Sequence, residues 1–250
     1  ARTLLEAMIV IDTTNPPGNE TIAAEHLAGV LKREDFEPVV LEYAPGRGNV
    51  VARLKGEGAA PPLLLYGHTD VVPVEPEHWT HGPFSGEGSE GYVWGRGAVD
   101  MKGMVAMSLM VMLLLKRAGV PLQRDVIFAA TADEEMEGAG IRFLAEKHPD
   151  LIRAEFGLSE FGGFNQEMGA RRAYPVQVAE KGVVWVKVRA RGKPGHASIP
   201  HGENAVVYLA RGLERLARRG MPYHLTGPAA GFIDGLAAVV GGVQGTLLRG

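Results

Sequence analysis

The sequence predicts an α/β protein with a largely parallel sheet over residues 1–180, followed over residues 181–250 by part of a smaller α+β domain. Three observations carry that expectation. Helical and strand patterns alternate through the first part, which favours helices layered on a parallel sheet. Near Lys181 the pattern changes to a two-residue alternation. Of 250 residues, 46% are hydrophobic and 22% charged, enough to bury one sizeable core and to set aside disorder, collagen and coiled coil.

Thr21 to Lys32 carries Ala23, Leu27, Val30 and Leu31 at helical spacing behind a capping threonine. Pro38–Tyr43, Asn49–Leu54 and Leu63–Gly67 read as short strands. Met101–Lys116 is an apolar helix closed by Gly119. Its run from Met104 to Leu115 is too short to cross a bilayer, which needs about 20 residues. Asp125–Ala132 is an apolar strand, Ile141–Lys147 a short helix and Phe156–Ser159 another strand. In the second part, Val184, Val186, Val188 and Ala190 alternate with Trp185, Lys187, Arg189 and Arg191, as in an antiparallel strand with one wetter face. Val206, Leu209, Ala210, Leu213, Leu216 and Ala217 mark one face of a helix that stops at Gly220. Gly227 to Gly250 is too rich in Gly and Ala for an assignment.

Lys and Arg number 26 against 29 Asp and Glu, a formal net charge of −3. Neither nucleic acid nor an anionic membrane is therefore the expected partner. With no cysteine, the chain has no disulfide, thiolate ligand or cysteine nucleophile, so any metal must be held by His, Asp and Glu. No secretory signal is visible after Ala1, and the expected location is the cytoplasm.

Open α/β sheets bind ligands at the carboxyl ends of their strands, and four polar clusters fall there. His68 and Asp70 follow the third strand, and their two-residue spacing points both to one side, as for a metal ligand and its orienting carboxylate. Taken alone, a plain hydrogen bond in a turn is the simpler account of the pair. Asp100 precedes the apolar helix among Gly95, Gly97 and Gly103, where a helix cap is the simpler account. Asp133, Glu134 and Glu135 end an apolar strand and repel one another unless a cation or hydrogen bonds compensate, or unless the turn is simply solvated. Glu160, before Gly162 and Gly163, is unremarkable alone. Its weight comes from joining the others at the same edge.

Taken together, Gly-His-Thr-Asp at 67–70, Gly-Arg-Gly-Ala-Val-Asp-Met-Lys-Gly at 95–103, Asp-Glu-Glu at 133–135 and the later acid resemble the co-catalytic zinc family. That family includes glutamate carboxypeptidase, aminoacylase, acetylornithine deacetylase and succinyl-diaminopimelate desuccinylase. Asn15–Glu20 and Gly192–Ser198 resemble it too. The resemblance implies two zinc ions, with cobalt or manganese suited to the same donors. His68 and Glu160 would bind one ion, Glu135 the other, and Asp100 both. Asp70 would orient His68, and Glu134 would be the general base for an activated water.

His196, otherwise a turn residue, would reach the oxyanion from a lid domain, often across a homodimer. The other histidines are read as structural or solvated. Residues 1–180 would then be the N-terminal part of a catalytic domain and 181–250 part of its lid. A sixth ligand, a histidine in the family's returning C-terminal segment, has no candidate among these residues, so the sequence is expected to be incomplete as an enzyme. The implied reaction is hydrolysis of an amide bond next to a free carboxylate, on a small peptide. The alternatives are an N-acyl-amino-acid deacylase, or a non-catalytic fragment or relative kept for binding or dimerisation.

Overall fold

A computed structural model describes residues 1–160, 165–169, 171–196 and 198–248. The chain divides into two compact units, Ala1–Glu160 and residues 161–250.

The first unit contains, in order, α1 (Arg2–Val10), α2 (Glu20–Lys32), β1 (Val39–Glu42), β2 (Gly48–Leu54), β3 (Leu63–His68), the short pair β4 (Gly88–Ser89) and β5 (Tyr92–Val93), α3 (Lys102–Arg117), β6 (Val126–Thr131), α4 (Ala139–Lys147), α5 (Pro149–Ile152) and β7 (Phe156–Leu158). Its main sheet has the order β1-β2-β6-β3-β7. β6, β3 and β7 pair in parallel, and β2 is antiparallel to both its neighbours. Four of the five strands therefore run one way, and the expected parallel sheet is interrupted by β2 alone.

β6 takes the centre because all six of its residues, Val-Ile-Phe-Ala-Ala-Thr, can be buried. Alternate side chains serve opposite layers. Val126, Phe128 and Ala130 join Val50, Ala52 and Leu65 beneath α1, α2 and α3, with Met8, Leu27, Leu31, Leu109 and Met112 filling that layer. Ile127 and Ala129 join Val51 and Leu144 on the other side, against Phe143, Leu151 and Ile152 of α4 and α5. The result is a helix–sheet–helix sandwich in which the parallel strands β7, β6 and β3 end toward one edge, at Leu158, Thr131 and His68.

In the second unit, β8 (Gln166–Met168) and β9 (Arg171–Ala173) form a hairpin, followed by α6 (Ala205–Arg219), α7 (Gly227–Val240) and α8 (Gly242–Leu247). Asn204 caps α6 by accepting the N–H of Val206 at 2.9 Å, and Gly220, at φ 63°, ends it. Thr226 caps α7 in the stretch that composition alone left unassigned. The strand expected over 184–191 does not form: those residues have no strand pairing, and Val184 and Trp185 are exposed. Alternation becomes a strand only when a neighbour takes up its N–H and C=O groups, and none of the described residues does so. Among the described residues, no helix is long and apolar enough to cross a membrane.

Candidate metal centre

The site is built where β3 and β6 end. His68 closes β3 and is 1% exposed, so its ring has little access to water. Its Nδ1 lies 3.0 Å from the main-chain carbonyl of Asp70. A carbonyl can only accept, so Nδ1 carries the proton and Nε2 is turned outward with a lone pair when the ring is neutral. The sequence suggests the Asp70 carboxylate as the orienting group. In the structure that carboxylate stands 3.4 Å from Nδ1, and the nearer carbonyl makes the shorter contact.

The Asp70 carboxylate, fully buried beside the ring, also takes up three other donors. Oδ1 accepts the backbone N–H of Glu134, and Oδ2 accepts that of Glu135 and the side-chain amide of Asn15. Burial opposes its ionisation, but His68, Asn15 and the Glu134 N–H together hold its pKa below the usual value.

Around Nε2 of His68 stand Asp100 Oδ1 at 3.1 Å, Glu160 Oε2 at 3.5 Å and Glu134 Oε2 at 3.8 Å. Asp100 makes no cap to α3, whose N-cap is Met101, so the helix-cap account fails and its carboxylate is free to face His68. Gly97, at φ 82°, lets this loop lie close: a Cβ there would sit 2.6 Å from Cγ1 of Val71. Two sets of donor atoms cluster within 4.8 Å of one another, His68 with Asp100 and Glu135, and His68 with Glu134 and Glu160. Glu75, Glu77 and His78 form a third set, but all three are exposed, as a solvated acidic turn would be.

Four carboxylates beside one buried imidazole leave a negative excess. Burial pushes the Glu135 carboxyl up to about 7, and the charge of Asp100 adds to it. Glu134 is raised for the same first reason, with Glu160, Asp70 and Asp100 contributing. Burial works against a charged His68, yet hydrogen bonds to Asp70 and Glu160 lift its pKa to about 11. The same contact with His68 lowers Glu160. A proton on His68 offsets only part of that excess. Hard oxygen donors with one imidazole and an uncompensated negative charge fit a divalent metal ion.

His196 lies in the second unit on an exposed loop, its Nδ1 bonded to the hydroxyl and N–H of Ser198. Gly162, Gly163 and Ala197, parts of the sequence patterns above, lie outside the described residues. Sequence reading gave no role to Arg47, and cited Asn15, Glu20 and Lys102 only as parts of motifs. Lys102 is wholly buried and donates to the carbonyls of Met8 and Ile11 at 3.1 and 2.7 Å. Glu20 is buried with Oε2 unpartnered. Burial lifts its carboxyl to about 7, outweighing Arg47 only 2.8 Å away. The one sequence signal for Arg47 is its place between Gly46 and Gly48 in a tight turn.

Fold and site together define an α/β protein with a carboxylate-rich centre of the metal-binding kind. The chain belongs to Peptidase family M20/M25/M40, whose family model matches residues 64–240. Aminoacylase-1A of Rattus norvegicus is 36% identical over 202 residues, 78% of this chain and 48% of that protein. The probable succinyl-diaminopimelate desuccinylase of Staphylococcus epidermidis is 33% identical over 208 residues, 82% of this chain and 48% of its counterpart. The chain thus spans about half the length of these relatives. An M20 family metallo-carboxypeptidase from Sulfolobus solfataricus superposes with a TM-score of 0.57 at 23% identity, covering 64% of this chain and 36% of that one. Human carnosine dipeptidase 1 gives 0.54 at 19%, over 63% and 37%. These two structures share its fold.

Proposed function

We propose that this chain carries the metal-holding part of a hydrolase that cleaves an amide bond next to a free carboxylate, in a small peptide. The observation that carries the reading is the outward Nε2 of His68 ringed by Asp100, Glu134 and Glu160. His68, Asp100 and Glu160 would hold one ion and Asp100 with Glu135 a second, and zinc is the ion we favour. A bound divalent ion supplies a Lewis acid that polarises the amide carbonyl and makes water a stronger acid.

The chain's own part is positional. Asp70 fixes the His68 ring through its carbonyl and the Glu134–Glu135 backbone through its carboxylate. Glu134, half-buried, stands at the rim of the cluster, where it would take a proton from water and pass it to the leaving amine. Residues 181–250 would belong to a lid that brings His196 to the carbonyl oxygen and forms the homodimer contact.

A second reading, removal of an acyl group from an N-acyl amino acid, is favoured by one observation. The relatives named above at 33–36% identity are an aminoacylase and a probable desuccinylase, whereas the two peptidase structures lie below 25%. Both readings need the same centre.

The test is to make Glu134→Ala and Glu135→Ala in the whole protein, measure metal content by mass spectrometry, and assay a panel of dipeptides and acyl-amino acids. Glu134→Ala keeps its metal and loses about a hundredfold or more in turnover. Glu135→Ala loses metal as well. Undiminished turnover in Glu134→Ala sinks the mechanism, and the preferred members of the panel separate the two readings.

A further inference from the structure

We propose that Arg47 and Asn15 are positioning residues for the metal centre: they clamp Asp133, and through it the Glu134–Glu135 turn, against Asp70. This rests on the metal-centre reading above.

The clamp begins with Asp133, whose φ of 66° is unusual for a side chain other than glycine. Its polar atoms are all engaged. Oδ1 receives Arg47 Nη2 at 2.7 Å and Asn15 Nδ2 at 2.9 Å, and Oδ2 receives the N–H of Ala139 at 3.3 Å. The Asp133 N–H goes to Glu20 Oε1 at 3.3 Å, and its carbonyl accepts the N–H of Gly138 at 2.6 Å. Residues 134 and 135 follow directly, and their N–H groups can meet Asp70 only if this turn is held.

Asn15 joins the two sides. Its one amide nitrogen donates to Asp70 Oδ2 at 2.8 Å and to Asp133 Oδ1, while its Oδ1 accepts from Arg47 Nη1 at 3.2 Å. Asn15 is itself placed by a parallel pairing beyond β3, with its N–H on the Val71 carbonyl and the Val71 N–H on the Thr13 carbonyl. Arg47 is in contact with two buried acids, Glu20 and Asp133, and also donates to the Pro17 carbonyl. Gly18, at φ 84°, leaves room for the guanidinium, because a Cβ there would overlap it.

No atom of Arg47 or Asn15 belongs to the donor sets around His68. Their effect on metal must therefore pass through Asp70 and the 133–135 turn. Outer partners of this kind typically alter metal affinity by about 10–100-fold.

The experiment compares the unaltered chain with Arg47→Lys and Asn15→Leu. Arg47→Lys keeps the charge and loses the two-pronged geometry. Zinc affinity is measured by competition with a chromophoric chelator, cobalt(II) absorption reports the coordination geometry, and circular dichroism reports the fold. Both variants are expected to remain folded, bind zinc about tenfold or more weakly, and show an altered cobalt spectrum. A residue with a merely structural role would lower the melting temperature of the metal-free protein and leave affinity and spectrum unchanged. That result overturns the proposal. Should Arg47→Lys fail to fold, Asn15→Leu decides alone. If the unaltered chain binds no zinc or cobalt, the metal-centre reading falls and this inference with it; normal binding with insensitive variants removes the inference alone.

Discussion

The Asp70 carboxylate receives the backbone N–H of Glu134 on one oxygen, at 3.0 Å, and that of Glu135 on the other, at 3.1 Å. One side chain at the end of β3 thereby sets the backbone of the two acids that follow β6. The Asp70 main-chain carbonyl meanwhile fixes the ring of His68. The two strand ends are tied by a residue that is itself outside the donor sets.

Asp70→Asn should break half of this arrangement. An asparagine amide offers one acceptor oxygen where the carboxylate offers two, so one buried N–H loses its partner. Leaving such a group unpaired costs about 1–3 kcal/mol. Urea denaturation of the metal-free variant should show a loss in that range, and zinc affinity should fall about tenfold or more. A variant as stable as the parent would show that the carboxylate does not hold the turn.

Lys102→Met should destabilise the first unit by about 1–3 kcal/mol, since the Ile11 carbonyl loses its donor while the Met8 carbonyl keeps only the Ile11 N–H. Both carbonyls lie at the C-terminal end of α1, where backbone acceptors run out of donors within the helix; Met8 O also accepts the Ile11 N–H at 3.2 Å, so Ile11 O depends most on the lysine. Methionine fills similar space but donates nothing. The midpoint of chemical unfolding checks this, and a change under about 0.5 kcal/mol, the range of ordinary surface substitutions, would refute it.

Glu20 should make stability depend on pH. Its carboxyl is raised in the folded chain from 4.5 to about 7 by burial. Between those values the folded protein keeps the proton and the unfolded chain releases it. Stability is therefore greatest at the acid end of the window and falls as pH rises through it, by at most about 1.4 kcal/mol per unit. Glu20→Gln removes this contribution. Urea midpoints compared near pH 5 and pH 7 should differ less in Glu20→Gln than in the parent; equal differences would contradict the assignment.

Much of the first unit was legible because its signals are local. β6 announces itself as the apolar run Val126 to Ala130 between Asp125 and the acids from Asp133, and α2 and α3 by their spacing, so the strand ends, and with them His68, Asp100, Glu134, Glu135 and Glu160, could be placed on one edge. The tie between Arg47 and Asp133 could not be read. It spans 86 residues, and an arginine in a glycine-flanked turn looks solvated until the fold brings an acid to it. Lys102 was hidden for the same reason: a lysine opening an apolar helix gives no sign that two carbonyls from α1 will meet it. The α1 helix escaped notice because no side chain caps its start. The 184–191 alternation failed for a different reason, since a strand depends on a partner that its own sequence does not contain.

The order β1-β2-β6-β3-β7 also constrains how the chain can be made. The inner edges of β2 and β3 find their shared partner only in β6, with Val50 opposite Ala130 and Gly67 opposite Ala130 in register. As a nascent chain leaves the ribosome, both strands must wait until Thr131 has emerged, with unpaired N–H and C=O groups open to wrong neighbours. The donors around His68 come together only after that closure, because Glu134 and Glu135 are synthesised directly behind the strand that closes the sheet.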